Sequence, residues 1–213
     1  MDQRLKWLPD GDKTPWKTLG DAKRAGLPVP AAFIVFQSTP ENDIRSAYED
    51  LKRLEKTHFV AVRGGTHAVL NVVYADALIH TVRRFWAESP DAPVLIQLMI
   101  PATSCGKAEW HRKNLKISAN EGMMLLDPDT YILNTATTKC TRRTLEPKQR
   151  KMIRHVDGTG KVVDREGPRT PMPEQHLAKI MELAIRAGSD IGWAVDDQER
   201  VWLLSRTDQS QQF

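Results

Sequence analysis

The segment VAVRGGTH, residues 60–67, places an arginine, two glycines and a histidine directly behind a short apolar run. Arg63 at the end of such a strand could bind a phosphate group through its guanidinium. His67 could instead be a phosphorylatable histidine behind a glycine turn. Gly64 and Gly65 are also what an ordinary turn contains, which would leave both side chains on the surface. The segment alone leaves all three interpretations open.

Metal binding is the second chemistry to consider. Asp190 and Asp196 lie near the end of the chain and could hold a cation, although an acidic hairpin turn explains their position as well. Cys105, His111 and Cys140 do not have the CxxC spacing that is typical of zinc sites, so zinc binding is not predicted.

A basic segment is the third candidate. Residues 139–154 contain seven basic residues and one acidic residue. Such a segment could bind nucleic acid or a phosphoprotein. It has little aromatic interleaving, however, and the pattern favours a solvated strand-turn face. Nucleic acid is therefore not a predicted partner.

Composition limits the class of protein. The chain has 213 residues, 40% of them hydrophobic, and a net charge of +4, which suits a protein that binds an anionic small ligand. Its two cysteines do not make a disulfide framework, so a cytoplasmic location is predicted. No apolar stretch resembles a signal-peptide core or a membrane span, so no membrane partner is predicted.

Hydrophobic periodicity and turn residues predict the elements that carry these side chains. In the first part of the chain they predict a helix over 18–26, a strand over 31–36, an amphipathic helix beginning near Pro40, a strand over 59–62 and a helix over 75–88. The inward face of the second helix is expected to contain Ile44, Tyr48, Leu51 and Leu54.

The stretch SPDAP, residues 89–93, is rich in turn formers and is predicted to link two lobes. The apolar run 94–100 predicts a strand buried on both faces, and the polar residues 101–114 predict a loop. Further predicted elements are strands at 115–118, 122–126, 130–134 and 161–164, a helix over 173–188, and a terminal hairpin of 192–195 with 201–205. The fold class is therefore α+β, with an N-terminal lobe over 1–88 and a C-terminal lobe over 94–213.

Six stretches, in order along residues 11–207, resemble the N-terminal nucleotide-binding domain of the phosphoenolpyruvate synthase and pyruvate phosphate dikinase family. They are LGDAKRAGLPVPAAFIV, VAVR, LNVVYADALIHTVRRFWAE, VLIQLMIPA, LDPDTYIL and DIGWAVDDQERVWLLSR. The resemblance implies the ATP-grasp fold, in which two α+β lobes enclose a nucleotide cleft. That cleft is expected between the strand 94–100 and the VAVR strand. The resemblance also implies binding of ATP or ADP and transfer of phosphate to a histidine on a separate domain.

The resemblance assigns roles to particular positions. The phosphate-binding residues that it implies are Arg63, Arg206 and either Lys13 or Lys17, and the strand on which the adenine docks contains Gln97, Met99 and Ile100. The backbone groups of that strand are expected to read the edge of the base. Several cations are needed because phosphoryl transfer depends on positioning and on neutralising the phosphate oxygens.

The sequence departs from the family at its metal site. Gly192 occupies the position of a metal-binding glutamate, and Leu204 occupies that of a glutamine. Gly64 and Gly65 replace paired serines, and the phosphate loop that follows them is reduced to residues 66–69. Neither glycine nor leucine can coordinate Mg²⁺ through its side chain, so these positions argue against magnesium binding.

These features favour a diverged nucleotide-binding module of a dikinase-type phosphotransfer system. It is expected to be weak or inactive alone and to work with a protein partner that carries the phosphohistidine domain. Two alternatives stay open. The chain could be an active ATP-dependent kinase subunit in which Asp190, Asp196 or Glu121 replaces the lost metal ligands. It could also be a non-catalytic interaction protein that has kept the fold, so the sequence does not decide whether the chain is an enzyme.

Overall fold

The computed structural model describes residues 5–10, 15–55, 59–65, 67–122, 128–145, 150–154, 160–164 and 171–207. Helices and strands both occur in these ranges, which confirms the α+β class. The helices are α1 (Lys17–Arg24), α2 (Glu41–Glu55), α3 (Ala75–Glu88) and α4 (Glu174–Ala187). The strands are β1 (Lys6–Trp7), β2 (Ala32–Val35), β3 (Val60–Gly64), β4 (His67–Val72), β5 (Val94–Leu98), β6 (Ser104–His111), β7 (Asn114–Glu121), β8 (Asp129–Asn134), β9 (Lys139–Thr144), β10 (Arg150–Arg154), β11 (Gly160–Asp164), β12 (Ile191–Val195) and β13 (Val201–Arg206).

Contacts between Cα atoms divide the chain into two compact units. The first unit contains residues 1–25 and 30–99, and the second contains residues 26–29 and 100–213. Each unit has a sheet and at least one helix that packs on it, which is the layered arrangement that buries a hydrophobic core.

The first unit is built around a five-stranded antiparallel sheet with the strand order β1-β2-β5-β3-β4. Helices α2 and α3 pack on one face of this sheet. There they meet alternate strand residues such as Phe33, Val62 and Ile96, which are fully buried. Because successive residues of a strand point to opposite faces, Ala61 and Arg63 face away from the two helices.

Strand β5 does not lie in the lobe where the sequence analysis placed it. Its residues pair with β2 on one side and with β3 on the other, so β5 belongs to the first unit and no cleft separates it from the VAVR strand. The division between units falls at Met99 and Ile100, beyond the expected linker at residues 89–93. All five residues of β5 are buried, which confirms a strand covered on both faces. An apolar run identifies such a strand, but the order of residues does not show which strands flank it.

The second unit contains a six-stranded antiparallel sheet with the order β13-β12-β6-β7-β8-β9. Helix α4 contacts β6, β12 and β13, and the fully buried side chains of the unit include Ile117, Tyr131 and Trp193. Strands β10 and β11 pair separately as a two-stranded sheet. The terminal hairpin of β12 and β13 is confirmed.

The loop predicted over residues 101–114 is wrong for most of its length, because Ser104–His111 forms β6. This strand lies between β12 and β7. Its small and polar composition has a packing reason at Gly106, where a Cβ atom would collide with the Ser118 carbonyl and with the Trp193 ring. Close packing therefore requires glycine at position 106 of this strand, although glycine is a residue that usually indicates a loop or turn.

Side-chain packing determines which residues of α2 are buried, and backbone conformation determines where α4 ends. Helix α2 buries Ile44, Tyr48 and Leu51 as predicted, whereas Leu54 is 61% exposed because it lies in the last turn of the helix. Helix α4 is followed by Gly188, whose φ of 62° is the left-handed conformation that glycine favours at a helix C-terminus. None of the helices in the described residues is long and apolar enough to cross a membrane.

Candidate functional site

Arg63 lies on the second sheet face of the first unit, the face turned away from α2 and α3. It lies opposite Leu95 in the ladder between β3 and β5. Burial lowers the pKa of Arg63 below its usual value. A guanidinium stays protonated even so, which leaves a partly desolvated cation on this face. Such a group interacts strongly with an anion because little water competes for it.

Gln97 lies on the same sheet face, where its neighbours across the ladder are Ala32 and Ala61. Its side chain is 1% exposed, and no described residue hydrogen-bonds to its amide nitrogen. The β5 backbone is engaged by ladders on both sides, and Leu98 donates its N–H to the Ala31 carbonyl at 2.9 Å. The backbone of Gln97 was expected to bind the edge of a base, but it is used by these ladders. Only backbone groups that follow Leu98 could bind a base in this way.

Met99 and Ile100 form the connection at which the chain passes from the first unit to the second. Met99 donates its N–H to the Phe59 carbonyl at 3.0 Å, and its sulfur accepts the Asn71 N–H at 3.1 Å. The Ile100 carbonyl accepts the Ala102 N–H at 2.8 Å. The hydrogen bond from Asn71 thus holds the Met99 side chain against the end of β4. Met99 is also the last residue of the first unit before the chain enters the second.

The lysine expected at the phosphates has two candidates, of which Lys13 lies outside the described residues. The amino group of Lys17 is 2.6 Å from an Asp21 carboxylate oxygen, and its side chain is 55% exposed. The hydrogen bond from Lys17, with a second from Arg24, lowers the pKa of Asp21. Lys17 is therefore already paired with a carboxylate within its own helix.

Lys23 is a half-buried cation that was not predicted from the sequence. It follows the buried Leu19 by four residues on α1, so the two lie on one side of the helix. Burial lowers the pKa of Lys23, and no ion pair joins it to another described residue. The spacing from Leu19 was the signal in the sequence that could have indicated a half-buried lysine.

Arg206 lies at the end of β13, where its Nε donates to the Ser189 hydroxyl at 3.2 Å. The register pairs Arg206 with Ile191 and pairs Ser205 with Gly192. Arg206 and Gly192 therefore point to opposite faces of the second sheet. Arg63 and Arg206 belong to different units, and a shared phosphate contact stays a prediction.

Gly192 and Leu204 lie on the two paired strands of the β12–β13 hairpin. That they correspond to two positions of one metal site stays a prediction. The register passes from Gly192 and Ser205 directly to Trp193 and Leu203, so Leu204 is the extra residue of a β-bulge. A Cβ atom at Gly192 would collide with the Ser205 hydroxyl oxygen. Ser205 thus fills the space that a larger residue at position 192 would need.

Asp196 is the anchor of the β12–β13 turn. Its side chain is 1% exposed, and the carboxylate accepts hydrogen bonds from the backbone N–H groups of Gln198 and Arg200, from the Arg200 guanidinium and from the Trp202 indole. Burial by itself raises the pKa of Asp196, but the hydrogen bonds from Trp202, Arg200 and Gln198 outweigh it, and the pKa lies below its usual value. These contacts occupy the oxygens that a cation would use.

The other carboxylates considered as metal ligands are also engaged. The Asp190 carboxylate accepts the backbone N–H of Trp110 at 2.8 Å, and the Glu121 carboxylate pairs with the Lys151 amino group at 2.9 Å. In the described parts of the chain, no three histidine, cysteine, aspartate or glutamate side chains lie together as a metal site would require. Cys105 and Cys140 lie on separate strands, β6 and β9, and are not joined by a disulfide.

Solved structures identify the fold. A D-alanine–D-alanine ligase from Coxiella burnetii aligns over 87% of this chain and 44% of its own, with 12% identity and a TM-score of 0.51. The ligase from Bacillus anthracis aligns over 88% of this chain and 53% of its own, with 11% identity and a TM-score of 0.50. An ATP-grasp ligase, PsnB, aligns over 96% of this chain with 11% identity and a TM-score of 0.45.

This chain has the ATP-grasp fold, which confirms the fold class expected from the sequence. It spans about half the length of the two D-alanine–D-alanine ligases that it matches. Identities this low concern the fold alone. No protein-family model matches the chain, and no curated protein sequence matches it.

Proposed function

We propose that this chain, which has the ATP-grasp fold, is a diverged nucleotide-binding module of a dikinase-type phosphotransfer system. The ordered resemblance of six sequence stretches to the phosphoenolpyruvate synthase and pyruvate phosphate dikinase family supports the choice of system. Fold and sequence resemblance agree on an ATP-grasp protein, and adenine nucleotide is the ligand that both favour.

The observation that carries nucleotide binding is the partly desolvated guanidinium of Arg63 at the end of β3. Its position matches the phosphate-binding arginine of the family. Lys23 is a second half-buried cation of the same unit and takes the place of Lys17, whose amino group is already paired with Asp21. Partly buried cations favour a polyphosphate because the interaction is weakly screened.

The same proposal holds that the chain is a poor phosphotransferase alone. The two metal-ligand positions of the family, Gly192 and Leu204, offer no side-chain oxygen. The alternative of an active kinase subunit needs other carboxylates, but Asp196, Asp190 and Glu121 each already hold protein groups. Without a metal that neutralises the phosphate oxygens, transfer of the terminal phosphoryl group is slow.

A partner protein that carries the phosphohistidine domain completes the proposed system. The nucleotide module would then supply binding of ATP or ADP, and the partner would supply the acceptor. Pull-down by itself does not identify such a partner. A candidate should accept ³²P from γ-labelled or β-labelled ATP on a histidine only when this chain is present, and the labelling should be slow because the partner's acceptor histidine does not replace the missing metal ligands.

The test of the proposal is ATP consumption by the purified chain, with ADP and AMP measured separately. We expect ATP to bind and turnover to stay far below about 1 s⁻¹, the low end for ordinary enzymes. Arg63→Ala should weaken nucleotide binding, and Arg53→Ala, an exposed arginine paired with Asp50 on α2, is the matched control. Magnesium-dependent turnover at or above that rate would replace the proposal with the active-kinase alternative.

A further inference from the structure

A groove lies beside the β3–β4 hairpin, on the side of the first unit where the helices pack. It consists of two adjoining pockets of about 390 Å³ and 210 Å³ that share His67, Phe85 and Glu88. Gly64 lines the larger pocket and directly follows Arg63 in β3. Because neighbouring residues of a strand point to opposite faces, the groove is distinct from the sheet face that carries Arg63.

The floor of the groove is apolar and shaped by a glycine. Gly64 packs so closely on Phe85 that a Cβ atom would lie 2.6 Å from the ring. Val94 and Ala92 complete the floor of the larger pocket. The Trp86 indole donates to the Ala92 carbonyl at 3.1 Å, which holds the loop after α3 in place. The groove is therefore preformed by packing and by this hydrogen bond.

Two opposite charges border the smaller pocket without neutralising each other. Arg84 and Glu88 are separated by four residues on α3, and both line this pocket. In the described part of the chain neither of them forms an ion pair. The order of a cation before an anion along the helix is the less favourable one for a direct pair, which leaves both groups available. The neighbouring Arg83, in contrast, pairs with Glu41.

We propose that this groove binds a free α-amino acid with an apolar side chain. A zwitterion carries a carboxylate and an ammonium on one carbon, and these complement Arg84 and Glu88. The side chain would then extend over Phe85 toward Val94 in the larger pocket, where it is removed from water.

The groove includes Gly64, Gly65 and His67 of the shortened phosphate loop, but it lies on the side of β3 opposite the Arg63 side chain. The amino acid and the nucleotide would therefore bind on different faces of the same hairpin.

Isothermal titration with L-leucine tests the proposal, and two leucine derivatives separate the contacts. Leucine amide lacks the carboxylate, and N-acetyl-leucine lacks the ammonium. Each derivative should bind about tenfold more weakly than leucine, the low end for loss of a charge-assisted hydrogen bond at an exposed rim. Arg84→Gln and Glu88→Gln should each weaken leucine by the same factor, and Arg83→Gln, the matched control outside the groove, should not.

The most specific test measures each variant with the leucine derivative that lacks the group which the mutated residue is proposed to bind. Glu88→Gln should have no further effect on N-acetyl-leucine, and Arg84→Gln none on leucine amide, because the contact is already absent. All three variants change exposed residues, and equal urea midpoints would show that they are folded. The proposal is overturned if leucine gives no binding heat at tens of millimolar. It is also overturned if leucine and both derivatives bind equally, which would indicate a merely apolar groove.

Discussion

The β12–β13 hairpin depends on the carboxylate of Asp196, and Asp196→Ala tests that dependence. Oδ1 accepts the N–H groups of Gln198 at 2.9 Å and Arg200 at 2.8 Å, while Oδ2 accepts Arg200 Nε at 2.7 Å and the Trp202 indole at 2.9 Å. Alanine removes all four acceptor contacts from a side chain that is only 1% exposed. Two backbone donors and an indole would then have to find other partners.

The expected loss is about 2–4 kcal/mol of unfolding free energy. A hydrogen bond contributes about 1 kcal/mol net, or about 1.5–3 kcal/mol when one group is charged. The full sum would be larger, but the Arg200 side chain is 49% exposed, so solvent screens its ion pair with Asp196. Contacts within one network are also not additive, which places the expectation well below the sum.

Urea unfolding followed by far-ultraviolet circular dichroism measures this loss. Asp197→Ala is the matched control, since it changes the same residue type at the next, exposed position. The control should shift the unfolding free energy by no more than about 0.5 kcal/mol. Equal midpoints for the two variants would refute the anchor role. Stabilisation of the wild type by Mg²⁺ that Asp196→Ala abolishes would restore Asp196 as a metal ligand.

The same contacts give a pH dependence of known sign. The pKa of Asp196 in the folded chain lies below its usual value of 3.8, because the hydrogen bonds from Trp202, Arg200 and Gln198 outweigh the opposing effect of burial. A lowered folded-state pKa stabilises the fold fully above the unfolded-state value and loses that effect as the pH falls through the folded-state pKa. The advantage of the wild type over Asp196→Ala should therefore shrink below about pH 4.

Three further predictions concern strain, charge and the metal positions. Tyr74 is 73% exposed and has φ 70° and ψ 140°, a strained backbone conformation for a residue other than glycine. Tyr74→Gly should relieve this strain and raise the unfolding free energy by about 1 kcal/mol, whereas Tyr74→Ala keeps the strain and should not. Urea midpoints of the two variants decide this, and equal midpoints would contradict it. Arg63→Ala should weaken ATP binding by roughly 1.5–3 kcal/mol, and Lys17→Ala should change it little, because Lys17 is paired with Asp21. Calorimetry checks both, and the reverse ranking would return the phosphate role to Lys17. The double variant Gly192→Glu and Leu204→Gln should increase the affinity for Mg²⁺–ATP more than it increases turnover. The Ser205 hydroxyl must rotate away from position 192 to make room for the glutamate. A larger gain in turnover than in affinity would show that the shortened phosphate loop does not limit the reaction.

Much of the local structure could be predicted from the sequence because its periodicity is strong. Helix α3 occupies the predicted residues 75–88, and the terminal hairpin forms where the turn residues indicate it. The failure at β6 has a different origin. Its pattern is set by the Trp193 ring above Gly106, a contact between strands that are distant in the chain. No local pattern carries that information.

The candidate site was less predictable than the fold. Arg63 and Lys23 are cations whose burial depends on the packing of their neighbours, and only Arg63 lies in a recognisable motif. Asp196 was a reasonable metal ligand by residue type, yet its oxygens are used by four donors within six residues. Residue type indicates which chemistry a side chain can perform, whereas the contacts determine whether its atoms are available.

The most direct test of the central claim is calorimetric titration of ATP into the 213-residue chain, with Mg²⁺ and with a chelator. The proposed module should bind ATP under both conditions, with affinities that agree within about threefold, because its metal-ligand positions are Gly192 and Leu204. Absence of binding under both conditions would favour an interaction protein that has kept only the fold. Binding that requires Mg²⁺ would contradict the claim that the metal site has been lost.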